Sequence, residues 1–342
     1  MNKMKRIGLS ALAGSLVAFS AQAGEVSVSG NLEGTFALKS AQKGTVVSTD
    51  QGKGFSTNTG LTFNASGEMD NGWTVSGFQT MNENMVGISS SQMSIVMGSM
   101  GKLKINRVGG GAVNALDDKL PTAWEESWDG SAHAFQGQLI GSSHDDGAVS
   151  YFLPTIEEAG MTIDVGVDYD PAAGVAAGDT GSTQVSGLLS DGMGIAVQVA
   201  SDMGFKAYAG AEQSSRGKKG GGLSDPFNGT AGVAYTMGAV TVGAQTWYND
   251  QGDSTGIHYE ADGFSIAFAV NEDLSVSYGQ IDETKVANVV GTSNVEAEME
   301  SFNVAYSMGS MAVKAQHHSA DNQDHAALGT SSRTEISLSL AF

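Results

Sequence analysis

From Glu25 onward the chain alternates apolar and polar residues with a period of two, and this feature constrains it most. Even positions read Val26, Val28, Gly30, Leu32, Gly34, Phe36, Leu38; odd positions read Ser27, Ser29, Asn31, Glu33, Thr35, Ala37, Lys39. Successive side chains of a strand point to opposite faces, so this is a long strand with one apolar and one polar face. The pattern returns in Leu61, Phe63, Ala65 and Met69, and in Met161, Ile163, Val165, Val167 and Tyr169. It returns again in Val240, Val242, Ala244 and Tyr248, and in Ile336, Leu338, Leu340 and Phe342. No segment carries a sustained 3.6-residue apolar stripe, so helices are confined to short pieces in loops. The 47 glycines, the mere 4 prolines and the scattered Val, Thr and Tyr suit an all-β chain.

The connections are of two kinds. Tight turns are expected at Asp70-Asn71-Gly72, Gly98–Gly101, Pro154–Gly160, Ser190-Asp191-Gly192, Met237-Gly238, Asn271-Glu272-Asp273 and Met308-Gly309. Long polar loops are expected at 40–58, 82–91, 109–145, 170–181, 213–227, 249–255, 285–294 and 320–332. Seven turns and eight loops join sixteen strands. That count treats 193–212 and 256–270 as single strands, with bulges at Ser201–Gly204 and Ala261–Gly263. A true hairpin at either place would change it, and eighteen is the alternative.

Short turns at one end and long loops at the other are the pattern of a transmembrane barrel. Lipid offers no hydrogen bonds, so the sheet must close on itself. The apolar face then meets lipid and the polar face lines water, the inverse of a soluble sandwich. Aromatics support the barrel. Tyr151, Tyr235, Tyr306 and Phe342 fall beside tight turns or the C-terminus, and Phe36, Tyr169, Tyr248 and Tyr259 fall near long loops. Two interfacial girdles would need this arrangement on the apolar face. The expected fold is therefore an all-β, antiparallel, up-and-down transmembrane barrel.

The N-terminus reads as a secretory signal. Met1–Arg6 is basic, Ile7–Ser20 is apolar or small, and Ala21-Gln22-Ala23 is a small-x-small cleavage site. This makes 1–23 a signal peptide and 24–342 the barrel. Removing three bases and no acid takes the formal charge from −20 to −23. So acidic a chain is a poor partner for nucleic acid. With no cysteine, disulfides and thiolate chemistry are excluded.

The chain resembles the sixteen-stranded general porins of Gram-negative outer membranes, especially the alphaproteobacterial type. Glu25–Gly30 looks like the family's first strand, and Lys102–Arg107 like strand five leading into the constriction loop. Asp145–Pro154 looks like the strand leaving that loop, and Phe342 like the C-terminal signature read by the outer-membrane assembly machinery. The family often has Asn-Ser where this chain has Gly147-Ala148. The resemblance implies a homotrimer embedded in outer-membrane lipid and lipopolysaccharide. It implies passive diffusion of ions and small hydrophilic solutes, with no cofactor, and loop 109–145 folded into the lumen as an eyelet.

That loop is long enough to be functional, and Trp124, Trp128 and Phe135 suit an ordered one. Its acids are Asp117, Asp118, Glu125, Glu126, Asp129 and Asp145, against one base, Lys119. By parity Lys39, Lys102, Lys104, Lys206, Lys314 and Arg333 face the lumen, as do Glu33, Glu68, Asp164, Asp168, Glu260 and Glu335. Fixed charges on low-dielectric walls focus a field across a narrow pore. The expected constriction pairs Asp117, Asp118, Glu125, Glu126 and Asp129 with a basic wall of Lys39, Lys102, Lys104 and Arg333, giving moderate cation selectivity. A substrate-specific channel and a non-transporting surface barrel or adhesin remain the alternatives.

Catalytic and metal motifs are weak. None of the six histidines lies in a nucleophile motif, and His317 and His318 must point to opposite faces of a strand. Gly210–Lys219 lacks phosphate-loop spacing, and Asn249–Asp253 lacks calcium-loop spacing. The expectation is therefore no enzyme and no metal.

Overall fold

A computed structural model describes residues 24–43, 46–47, 52–81, 87–108, 110–130, 133–141, 147–171, 189–216, 223–287 and 294–342. The signal peptide expected at 1–23, along with Asp145, lies outside the described residues.

One antiparallel sheet contains every strand among the described residues. Its first nine segments are β1 (Glu25–Lys43), β2 (Val46–Val47), β3 (Gly52–Glu68), β4 (Thr74–Met81), β5 (Ile88–Val96), β6 (Lys102–Val108), β7 (Val149–Phe152), β8 (Ile156–Glu158) and β9 (Met161–Asp170). The rest are β10 (Leu189–Ser201), β11 (Phe205–Arg216), β12 (Phe227–Met237), β13 (Val240–Asp250), β14 (His258–Ala269), β15 (Leu274–Val286), β16 (Glu296–Met308), β17 (Met311–Asp321) and β18 (Thr330–Ala341). Three segments are fragments. β2 caps the end of β1, and β7 and β8 pair with successive stretches of β9 as one interrupted strand. Sixteen barrel strands remain.

The sheet closes where β1 pairs with β18, from Asn31 opposite Ala341 to Gln42 opposite Thr330. Closure leaves no open edge, which a lipid environment demands. Phe342 completes the seam: its N–H donates to the Gly30 carbonyl (3.0 Å) and its carbonyl accepts the Gly30 N–H (2.8 Å).

Burial is inverted relative to a soluble protein. Outward Met193, Phe302 and Leu338 are 64%, 51% and 47% exposed, whereas inward Asp168, Glu335 and Ser337 are at 2% or less. Apolar side chains face outward into what would be lipid, and polar ones are covered inside. The buried apolar cluster is correspondingly small and off the sheet's outer face. Val113, Leu116, Phe135 and Ile140 from the β6–β7 connection pack there against Tyr208, Trp247, Ile281 and Met299.

Three local expectations are corrected. Ser201–Gly204 is a hairpin between β10 and β11: Gly204, at φ +89°, donates its N–H to the Ser201 carbonyl. Ser190-Asp191-Gly192 is part of β10, with an irregular register against β11 there, and is not a turn. The two misreadings cancel in the count. Lastly, β14 runs without a bulge in register with both neighbours. Its outer face is set by Phe264, Ile266 and Phe268, so Glu260 points outward and Tyr259 inward, against the His325 ring at 5.5 Å.

Candidate pore and its constricting segment

The segment between β6 and β7 runs along the polar face of the sheet. It is pinned at both ends by carboxylates. Asp168 on β9 accepts the backbone N–H groups of Ala112 and Val113, both at 2.9 Å. Glu283 on β15 accepts the Gln136 N–H at 2.7 Å and lies 2.9 Å from His133 Nε2. Between these anchors the wall holds the segment by its backbone. Gln245 donates to the Leu116 carbonyl (2.7 Å), Asn303 to the Glu125 carbonyl (2.9 Å) and Gln316 to the Glu126 carbonyl (3.2 Å). Ser277 accepts the Ala123 N–H at 2.9 Å.

The wall makes room with inward glycines. A Cβ at Gly210 would meet Leu116 at 2.6 Å, one at Gly243 would meet Pro121 at 2.4 Å, and one at Gly279 would meet Ser127 Oγ at 2.5 Å. These positions are glycine because the segment's side chains occupy the space of a methyl group.

The acids named from sequence are brought together. Burial pushes the Asp117 carboxyl up to about 6, with Asp118 adding repulsion. Burial pushes Glu126 up to about 7, helped chiefly by Asp118 and then by Asp129 and Asp117. Asp118 is raised by loss of water and by Asp129. Asp129 is raised by burial, although Arg333 opposes this. Glu125 is raised most strongly, by burial and by the neighbouring Glu335 carboxyl. Five formal acids therefore carry fewer than five charges near neutrality. Lys119 lies beside Asp117 and Asp118, and burial lowers its own value.

The expected basic wall divides into two parts. Arg333 pairs with Glu335 and lies against Gly130 of the segment. With Lys39 it lines a cavity of about 630 Å³ beside Gly130. Its walls come from β1, the start of β3 and β18, with Gly130 the segment's contribution. Lys102 and Lys104 lie on β6, with their ammonium groups 4.5 and 5.0 Å from the Phe152 ring centre. Lys314 instead joins the segment, with its ammonium 5.4 Å from the Trp124 ring centre and 4.0 Å from Glu33.

The sequence profile of the Gram-negative porin family matches residues 8–325. The chain belongs to that family. This porin is an outer-membrane diffusion channel, and its lumen is the polar interior just described. No curated protein matches its sequence. Solved porin structures share its fold. The anion-selective porin from Comamonas acidovorans superposes with TM-score 0.65 at 14% identity, covering 93% of this chain and 100% of that one. OmpF of Salmonella typhi in complex with daunomycin gives 0.65 at 13%, covering 94% and 98%. The trimer form of OmpT, an outer membrane protein of Vibrio cholerae, gives 0.59 at 14%, covering 94% and 100%.

The porin's anchoring residues escaped sequence reading. Asp168 reads as a lumen charge, but its role as a double acceptor for loop N–H groups depends on a fold that brings residues 55 and 56 positions apart into contact. Gln245, Asn303 and Gln316 read only as polar positions of alternating strands. The one signal for them was glycine at inward positions of neighbouring strands, which marks where something approaches the wall closely.

Proposed function

We propose that this porin is moderately cation-selective, with Asp117, Asp118, Glu125, Glu126 and Asp129 forming its constriction opposite Arg333 and Lys39. The observation that carries this reading is the pinning of the acidic segment to the wall by its backbone, which leaves its carboxyls to set the local field. Acids on one side and bases on the other would orient dipolar solutes across the pore. The role is transport and not catalysis. Liposome swelling with cationic, zwitterionic and anionic solutes of equal size tests it. The cation should enter fastest; faster entry of the anion would refute the reading.

We also propose a homotrimer surrounded by outer-membrane lipid and lipopolysaccharide, exported through cleavage of residues 1–23 and recognised by the outer-membrane assembly machinery at Phe342. The trimer form of the Vibrio cholerae neighbour and the outward apolar band support it. A monomer mass in mild detergent would refute the trimer.

A further inference from the structure

The connection between β17 and β18 reaches inward to the constricting segment, and its attachment contains a proton count that does not close. His133 Nδ1 accepts the Asp324 N–H at 2.9 Å, so the ring proton of His133 lies on Nε2 and is donated to Glu283 Oε1. His325 Nδ1 lies 2.8 Å from the Val295 carbonyl, which can only accept, so Nδ1 carries a proton. A neutral His325 therefore presents a bare lone pair at Nε2. That atom lies 3.2 Å from Glu283 Oε1, another acceptor. The contact is attractive only if the pair holds one proton beyond a neutral imidazole and a carboxylate.

The connection itself is strained. Asn322, Asp324, His325 and Leu328 have φ of 50°, 55°, 56° and 65°, the left-handed region that side chains other than glycine avoid. Such a loop persists only where its surroundings hold it. Asn322 and His325 tie it to the Glu296 and Val295 carbonyls (3.0 and 2.8 Å), and the Asp324–His133 hydrogen bond and the His325–Glu283 contact join it to the constricting segment and that segment's anchor. A metal ion between the rings would have to displace both the His133–Glu283 and the Asp324–His133 bonds, whereas a proton keeps both.

We propose that His325 and Glu283 form a proton-dependent latch that holds the β17–β18 connection down on the constricting segment. It is closed on the acid side, where the pair carries its extra proton, and released on the alkaline side, where imidazole and carboxylate meet lone pair to lone pair. The titratable groups facing the pair are His133 from the constricting segment, Tyr259 from β14 and Asp324 from the connection itself; Lys285 on β15 lies behind Tyr259, 6.0 Å from its ring, and His318 on β17 lies beyond His133. The constricting segment keeps its own hold on Glu283 through His133 and Gln136, so release loosens the connection at His325 and leaves that segment anchored.

The chain has no cysteine, so a single nitroxide label can be placed at exposed Ala327 by Ala327→Cys in the full-length barrel. Its spectrum should be immobilised at about pH 5 and become several-fold more mobile by about pH 9, in one titration step. His325→Gln should make the mobility independent of pH, and Glu283→Ala should leave the label mobile throughout. Both variants are checked for the folded, heat-modifiable form first. His317→Gln, on the outward face, should keep the transition. A wild-type label of constant mobility, or a transition that survives in His325→Gln, overturns the latch. So does release by a chelator at acid pH, which would put a cation in place of the proton.

Discussion

Asn303 on β16 donates its side-chain N–H to the backbone carbonyl of Glu125 at 2.9 Å, joining residues 178 positions apart. The wall thus grips the acidic segment by its main chain. The Glu125 carboxyl is left beside that of Glu335, and the repulsion between them is part of what holds a proton there. Fixed backbone and adjustable charge are the two properties a selective constriction needs.

The first prediction concerns pH. Asp117 and Glu126 are pushed up to about 6 and about 7, so both ionise between mildly acid and mildly alkaline solution. Cation preference should rise across that window and be weakest on its acid side. The docked segment binds these protons more tightly than a free one would, so its docking is firmer below the window and loosens as pH climbs through it. Reversal potentials at a fixed KCl gradient across the pH series check this; a flat or falling preference would contradict it.

Asp168→Ala should loosen the start of the segment. It strands two backbone donors that now bond a carboxylate, and each such bond is worth about 2 kcal/mol. Single-channel recordings should show larger open-channel noise while the barrel still migrates as a folded species. Noise at the wild-type level would show that Asp168 is dispensable.

How much of this was legible in the sequence follows from where the information lies. The barrel rests on alternation and turn chemistry, both local, so β1 and β18 were readable almost residue by residue. The hairpin at Asp202-Met203-Gly204 was missed because Gly204's left-handed φ is invisible until the chain is folded. Tyr259 and Glu260 were placed on the wrong faces by an unneeded bulge, since one residue of slip exchanges every face. The acidic segment was readable from composition. Its anchors were not, because Asp168, Gln245 and Glu283 act on backbone atoms far away in sequence.

Gly243→Val should push the segment off the wall. A Cβ there would lie 2.4 Å from Pro121, and overpacking of this kind costs about 1–3 kcal/mol. The displaced segment has only the lumen to move into, so single-channel conductance should fall. An unchanged conductance would mean that the segment does not border the narrowest section.

Phe342→Ala keeps the two backbone bonds to Gly30 but removes the ring packed over that glycine. Outer-membrane abundance should drop, while the protein that does assemble should conduct normally. Unchanged abundance would remove Phe342 as an assembly signal.

The most direct measurement is the zero-current potential under a KCl gradient, compared between the wild-type channel and one carrying Asp117→Asn, Asp118→Asn, Glu125→Gln and Glu126→Gln. At ~0.1 M salt the screening length is ~10 Å, long enough for the loop charges to act across the pore, and at ~1 M it falls to ~3 Å. The wild type should favour cations at low salt and lose part of that preference at high salt, and the quadruple variant should lose most of it at both. An anion-favouring wild type, or a variant indistinguishable from it, would show that the acidic segment does not set the field of this pore.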